Sequence, residues 1–190
     1  MNKRSADETK KKILSAARTV FADYGYAQAN MRTIAQGAGI SVGGLYLYFK
    51  NKEELYLTFM REGMNDLDGQ TRDALHKIED PVEAIIAFVT ISIDFARSHK
   101  EMIILQGREL GFSFGSEFKR KFSVERRKMI EGIIRSGVTK GIFRECDADE
   151  TAKVLFNMLR GFVVSMVIDE ESLFTPAECA NLVLNGLLRR

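Results

Sequence analysis

The run Val42-Gly43-Gly44-Leu45-Tyr46-Leu47-Tyr48-Phe49 combines residue types that a solvent-facing helix seldom carries together. At about 100° per residue, Gly43, Gly44, Leu47 and Tyr48 fall opposite a stripe of Val42, Leu45 and Phe49, with Tyr46 on the flank. Each glycine inside a helix costs roughly 1 kcal/mol relative to alanine. Such a surface suits close approach to another molecule: the glycines admit it, and the tyrosines offer phenolic hydroxyls and flat rings. The surrounding charge indicates the partner. Residues 1–52 hold nine Lys/Arg (Lys3, Arg4, Lys10, Lys11, Lys12, Arg18, Arg32, Lys50, Lys52) against the acids Asp7, Glu8 and Asp23. That is +6 in a chain whose net charge is +2, so the remaining 138 residues sum to −4. A basic module joined to a mildly acidic one points to a polyanion for the first module alone.

Other chemistry finds few candidates. His76 and His99 are isolated, with no HExxH and no clustered Cys/His. GISVGG lacks the Lys-Ser/Thr of a phosphate-binding loop, and Glu109 beside Arg108 reads as a simple ion pair. No catalytic residue, metal or cofactor is expected. Cys146 and Cys179 lack CxxC spacing and suit unpaired thiols in a reducing cytoplasm. The opening MNKRSADETKKK has no apolar segment after its charges, and no apolar run reaches the ~18 residues that span a bilayer. The reading is a cytoplasmic protein without membrane contact.

The elements that must position the glycine–tyrosine face are legible on either side of it. Asn30 is a good N-cap for a helix carrying Ile34, Ala35 and Ala38 on one face, and Gly39 supplies a left-handed position at its end. Ser41 caps the next helix. Helix, tight glycine turn and helix make a helix-turn-helix. Coupled to the basic charge, it makes double-stranded DNA the expected partner. A preceding helix, opened by Ser5-Ala6-Asp7-Glu8 and stopped by Gly25, offers Ile13, Leu14, Ala17, Val20, Phe21 and Tyr24 as a packing stripe. Asn51-Lys52-Glu53-Glu54 opens a long helix through Leu55, Phe59 and Leu67 toward Ile78.

The rest of the chain reads as about six helices, giving an all-α protein with a helix-turn-helix domain at 1–52 and a helical domain at 53–190. Asp80-Pro81 starts a helix with Val82, Ile85, Ile86, Val89, Ile93 and Ala96 on one face. A short helix follows over Met102–Leu110, then a loop over Gly111–Gly115, then a long helix from Ser116 that Gly137 and Gly141 end. Lys119–Lys121 and Arg126–Lys128 read as a solvated face of that long helix, and no buried charge cluster is evident. Asp147 and Thr175-Pro176 cap the last two helices. The first of these is apolar nearly all round, so it needs cover on more than one side. A partner subunit over Leu155, Leu159, Val163, Val183, Leu184 and Leu187 is one source of cover, and neighbours in the same chain are the other. Gly161 and Gly186 would admit close helix approach. Phe88, Phe95, Met102, Phe118, Phe122, Met158 and Phe162 are candidate liners for a small apolar or aromatic ligand, or else ordinary core.

TIAQGAGIS followed by VGGLYLYFKNKEEL resembles the DNA-binding domain of the tetracycline-repressor (TetR) family of bacterial regulators. The resemblance is strong over 7–60 and looser beyond, where GVTKGIFRECDADETAKVLFNMLRG is similar to the approach to the family's penultimate helix. It implies an all-helical homodimer of about nine helices per chain, whose last two helices pair into a four-helix bundle and whose middle helices enclose a ligand pocket. It further implies a repressor that occupies an operator until a small molecule releases it. By position, base contacts fall on Arg32, Gly43, Gly44 and Tyr48, and phosphate contacts on Thr33, Tyr46 and Lys52. Arg32 can present a bidentate fork to guanine, whereas the glycines offer only close approach or backbone contact. Tyr46 packed within the module and Thr33 as a plain first-turn residue remain open. An alternative reading is a DNA-binding scaffold whose C-terminal domain only dimerises and binds a protein.

Overall fold

The computed structural model describes residues 3–108, 116–168 and 175–188. Among them lie nine helices: α1 (Lys3–Gln28), α2 (Met31–Gly37), α3 (Val42–Tyr46), α4 (Lys52–Leu75), α5 (Pro81–Ser98), α6 (Lys100–Arg108), α7 (Ser116–Thr139), α8 (Ala148–Ile168) and α9 (Pro176–Leu187). The only non-helical pairing among the described residues is a single bridge between Phe143 and Leu188. The chain divides into two compact units. One comprises Met1–Gly63 with Glu101–Phe114, the other Met64–Lys100 with Gly115–Arg190. Helix α4 contributes to both, so the compact unit around the helix-turn-helix reaches past residue 52 and takes in α6.

Within the first unit, Ile13, Leu14, Ala17, Val20 and Phe21 of the expected stripe are buried, whereas Tyr24, its last member, is exposed. Phe21 meets Tyr56 of α4 edge-on at 5.4 Å, and Tyr26 meets the same ring at 5.0 Å. Aromatic edge-to-face pairs add about 0.5–1.5 kcal/mol beyond buried area, which ties α1 to α4. Arg18 of α1 bonds Glu101 of α6 at 3.2 Å. Gly25 breaks α1 with φ 68°, a left-handed conformation that favours glycine. The opposite end differs from the sequence expectation: α1 already runs from Lys3, so Ser5 lies inside the helix, where its carbonyl accepts from Thr9, and does not cap it.

In the second unit α5, α7, α8 and α9 share one core, with Ile85, Phe88, Ile93, Ile134, Phe143, Leu159 and Leu184 among its members. Local start signals fall where the sequence put them. Asp80 accepts from the amides of Val82 and Glu83, Asp147 from Glu150, and Thr175 forms a reciprocal capping box with Glu178. Gly141 turns the chain with φ 69°, but Gly137 does not end α7 as expected. It sits within the helix because a Cβ there would lie 2.1 Å from the Phe143 ring. The expected loop at 111–115 lies outside the described residues.

Candidate nucleic-acid interface and effector site

Helices α2 and α3 are set by short-range hydrogen bonds. The Asn30 carboxamide oxygen accepts from the Thr33 amide at 2.9 Å, and Ser41 Oγ accepts from the Gly44 amide at 3.0 Å. Gly39 takes φ 68° between them. Ile34, Ala35, Leu45 and Phe49 are buried against the rest of the module. Val42 differs from the expected stripe: at the first position of a five-residue helix it is exposed, and Leu45 and Phe49 alone face inward.

The outward face carries Leu47 at 83% exposure, Tyr46 at 49%, an exposed Gly43 and a half-buried Tyr48. A Cβ on Gly43 would meet nothing within 4 Å, so packing within the chain does not require glycine there. A Cβ on Gly44 would sit 3.1 Å from Ser41 Oγ, so the second glycine belongs to the cap. Arg32 is exposed on α2, and the Thr33 hydroxyl is within 3.0 Å of the Asn30 carboxamide, so Thr33 takes part in capping α2.

Lys52 departs from the simple picture of an ammonium free to meet phosphate. Its Nζ donates to the carbonyls of Tyr26, Ala27 and Ala29 at 2.6, 3.1 and 2.8 Å, and it lies 4.6 Å from the Tyr26 ring centroid. All three ammonium hydrogens are thereby engaged on the end of α1. The side chain clamps α1 to the start of α4. Asn51 caps that turn through the Glu54 amide at 2.8 Å, while the Glu54 carboxylate accepts from the Lys50 amide at 2.7 Å.

The seven expected effector liners divide. Met102 is buried in the first unit. Phe88 and Phe95 are buried in the second, and Phe118, Phe122, Met158 and Phe162 are half-buried there. Met158 and Phe162 pack against the core that contains Phe88, and Phe95 stacks on His99 at 4.0 Å. Between Phe88 and Phe122 lies a residue that the sequence assigned to solvent. Arg126 is 3% exposed, with Cζ 4.3 Å from the Phe88 centroid and 5.7 Å from that of Phe122. It donates to Ser92 Oγ at 2.6 Å, Thr71 Oγ1 at 3.2 Å and Asp68 Oδ1 at 3.5 Å. Burial pushes this guanidinium down to about 10, against the pull of Asp68, so it stays charged at neutral pH. Burial likewise raises Asp68, outweighing the Arg126 and Arg72 charges that favour its ionised form. A buried charge cluster therefore exists where none was expected. Its sequence signal was faint: Phe122 and Arg126 share a face at i and i+4.

A separate open cleft of about 420 Å³ lies between Arg72, His76, Glu79, Pro81, Met129 and Ser136, and none of the seven expected liners borders it. Among the described residues no group of three or more His, Cys, Asp or Glu is arranged to hold a metal, and no helix is long and apolar enough to cross a membrane.

The residues expected at a subunit interface are largely covered within the chain itself. Leu159, Val183, Leu184 and Leu187 are buried within the chain's own core, and Leu155 and Val163 are half-buried. Much of the apolar cover that α8 requires is intrachain. Among the described residues of these helices, the exposed large apolar side chains are Val154 at 64% and Leu182 at 58%, with Gly161 and Gly186 exposed and open at their Cβ positions.

Residues 13–58 match the family model described as bacterial regulatory proteins, tetR family. The chain is 31% identical over 141 residues to the HTH-type transcriptional repressor KstR2 of Mycolicibacterium smegmatis, covering 72% of this chain and 69% of that protein. It is 24% identical over 180 residues to the fatty acid metabolism regulator protein of Bacillus subtilis, covering 93% and 92%. The fold matches the crystal structure of the transcriptional regulator FadR from Bacillus subtilis in complex with stearoyl-CoA, with TM-score 0.78 and 22% identity over 92% of this chain and 95% of that one. The chain belongs to the TetR family of bacterial transcriptional regulators.

Proposed function

We propose that this chain is a repressor that holds a near-palindromic operator as a homodimer and leaves it when a small molecule with an apolar or aromatic body binds in the second unit. The observation that carries the DNA half is the open face of α3. Gly43 lacks a side chain where the chain has room for one, beside exposed Tyr46 and Leu47. On this reading Gly43 lets the backbone come close to the major groove, and Tyr48 and Arg32 meet base edges. Tyr46, Thr33 and the amides at Lys52 meet phosphates, and Leu47 can only contact an apolar group such as a thymine methyl. The homodimer is supported by the open apolar positions Val154 and Leu182 flanked by exposed glycines.

The effector half rests on the aromatic surroundings of Phe88 and Phe122, and on relatives named for fatty acid metabolism and seen with stearoyl-CoA. Helix α4 is the transmitter: Lys52 clamps its first turn to the end of α1, and Asp68 and Thr71 near its other end hold Arg126. An effector shifts the equilibrium only by binding the operator-incompetent arrangement more tightly. Footprinting on DNA flanking the chain's own gene tests the proposal. A protected site with two-fold symmetry, lost as salt rises and released by an acyl compound, is the expected result. Asymmetric, salt-insensitive protection overturns the reading.

A further inference from the structure

Arg126 is a buried cation held largely by neutral groups. Of the guanidinium's five N–H groups, three have acceptors, and two of those acceptors are neutral hydroxyls. Each hydroxyl gives its own proton to a backbone carbonyl one turn back, Ser92 to Phe88 at 2.6 Å and Thr71 to Leu67 at 2.7 Å. They therefore face the guanidinium with lone pairs only. The one carboxylate, Asp68, stands at 3.5 Å and is shared with Arg72, which reaches its other oxygen at 3.6 Å. Glu125, the neighbouring acid, pairs with Lys128. Two arginines thus share one weakly held carboxylate, and Arg126 keeps its Nε–H and a second Nη2–H without an acceptor among the described residues.

Packed helices hold this group. Three helices each contribute residues one turn apart: Asp68 and Thr71 from α4, Phe88 and Ser92 from α5, and Phe122 and Arg126 from α7. A cation fixed by neutral hydroxyls and ring faces, with donors to spare, matches what an anion site requires before its ligand arrives. An arginine serving only to bind Asp68 would be expected nearer to it, and with that carboxylate to itself.

We infer that Arg126 is the polar anchor of the effector site, taking the carboxylate of a ligand whose apolar body lies against Phe88 and Phe122. The inference rests on the effector reading above and narrows it to an acid.

The test uses the full chain and two probes of equal length, decanoate and 1-decanol, with binding followed by calorimetry and operator release by fluorescence anisotropy. Decanoate binds about tenfold or more tightly than decanol, the worth of one charge-assisted hydrogen bond. Arg126→Met abolishes that preference. Methionine fills similar volume without charge, and Asp68 keeps its ion pair with Arg72. Asp68→Asn keeps the arginine, removes its competitor and tightens decanoate binding, so it carries the test if Arg126→Met does not fold. Equal binding of the two probes, or a preference that survives Arg126→Met, overturns the anchor. If decanol then releases operator as well as decanoate, the effector reading stands without it. If neither probe binds, the anchor is refuted, and release by stearoyl-CoA in the same assay decides the effector reading separately.

Discussion

Replacing Lys52 by Met separates the clamp that the structure shows from the phosphate contact that the resemblance implies for the same residue. Methionine keeps an apolar stem of comparable reach and removes the ammonium. The bonds lost are the three to the carbonyls of Tyr26, Ala27 and Ala29. A hydrogen bond to a charged group is worth about 1.5–3 kcal/mol net. Three sharing one half-exposed cation do not add, so the clamp is worth roughly 2–3 kcal/mol in total. For a chain of this length, each kcal/mol moves the melting temperature by about 2–4 °C, giving a fall of roughly 4–12 °C. Binding to DNA answers differently. Each phosphate neutralised by a lysine steepens the dependence of log K on log salt by about 0.9. Because the ammonium is engaged within the chain, the variant should bind operator more weakly through loss of module geometry, while the salt slope stays as it is. Salt titrations of operator affinity, run beside thermal melts, measure both quantities on the same preparation. An unchanged melting temperature with a slope reduced by about 0.9 per protomer would falsify the clamp and return Lys52 to phosphate contact.

Further outcomes follow from the same geometry. Gly43→Ala has free space on the chain and should raise thermal stability by up to about 1 kcal/mol, yet weaken operator binding; a rise in both would show that close approach at this position is unimportant. Val154→Glu with Leu182→Glu should give folded monomers by sedimentation and circular dichroism, whereas Leu184→Glu buries an unpaired charge in the core and should abolish folding. The opposite pattern would place the interface on the buried residues after all. Hydrogen bonds from the backbone and then the side chain of Thr175 hold Glu178 below its ordinary value. Its folded value lies below the unfolded one, so its stabilisation is present above the usual glutamate range and is lost as pH falls through it. Glu178→Gln should remove that part of the acid dependence, and an identical pH–stability profile in wild type and variant would refute it.

What the sequence determined was local. Asn30, Ser41, Asp80, Asp147 and Thr175 each announce a helix start because the accepting side chain and its amide lie two or three residues apart. Gly25, Gly39 and Gly141 announce turns because a positive φ is a property of one residue. The helix-turn-helix is built almost wholly from such signals, so its fold and its outward face are legible in the order of its residues.

Tertiary structure alone decided matters in which distant residues choose between equivalent faces. α8 is apolar nearly all round, so periodicity does not say which side a neighbour takes. Packing of α5, α7 and α9 buries Leu159, Val183, Leu184 and Leu187 and leaves Val154 and Leu182 open. Gly137 is required by a ring six residues on, and Lys52 is turned inward by carbonyls more than twenty residues back. Arg126 sits in a basic run in which Arg127 is half-buried and Lys128 is exposed. Arg126 is buried because Thr71 and Ser92, 55 and 34 positions away, bring hydroxyls to it. A charge enters a protein interior only where acceptors await it, and the placing of those acceptors belongs to the packed helices, not to the run that carries the arginine.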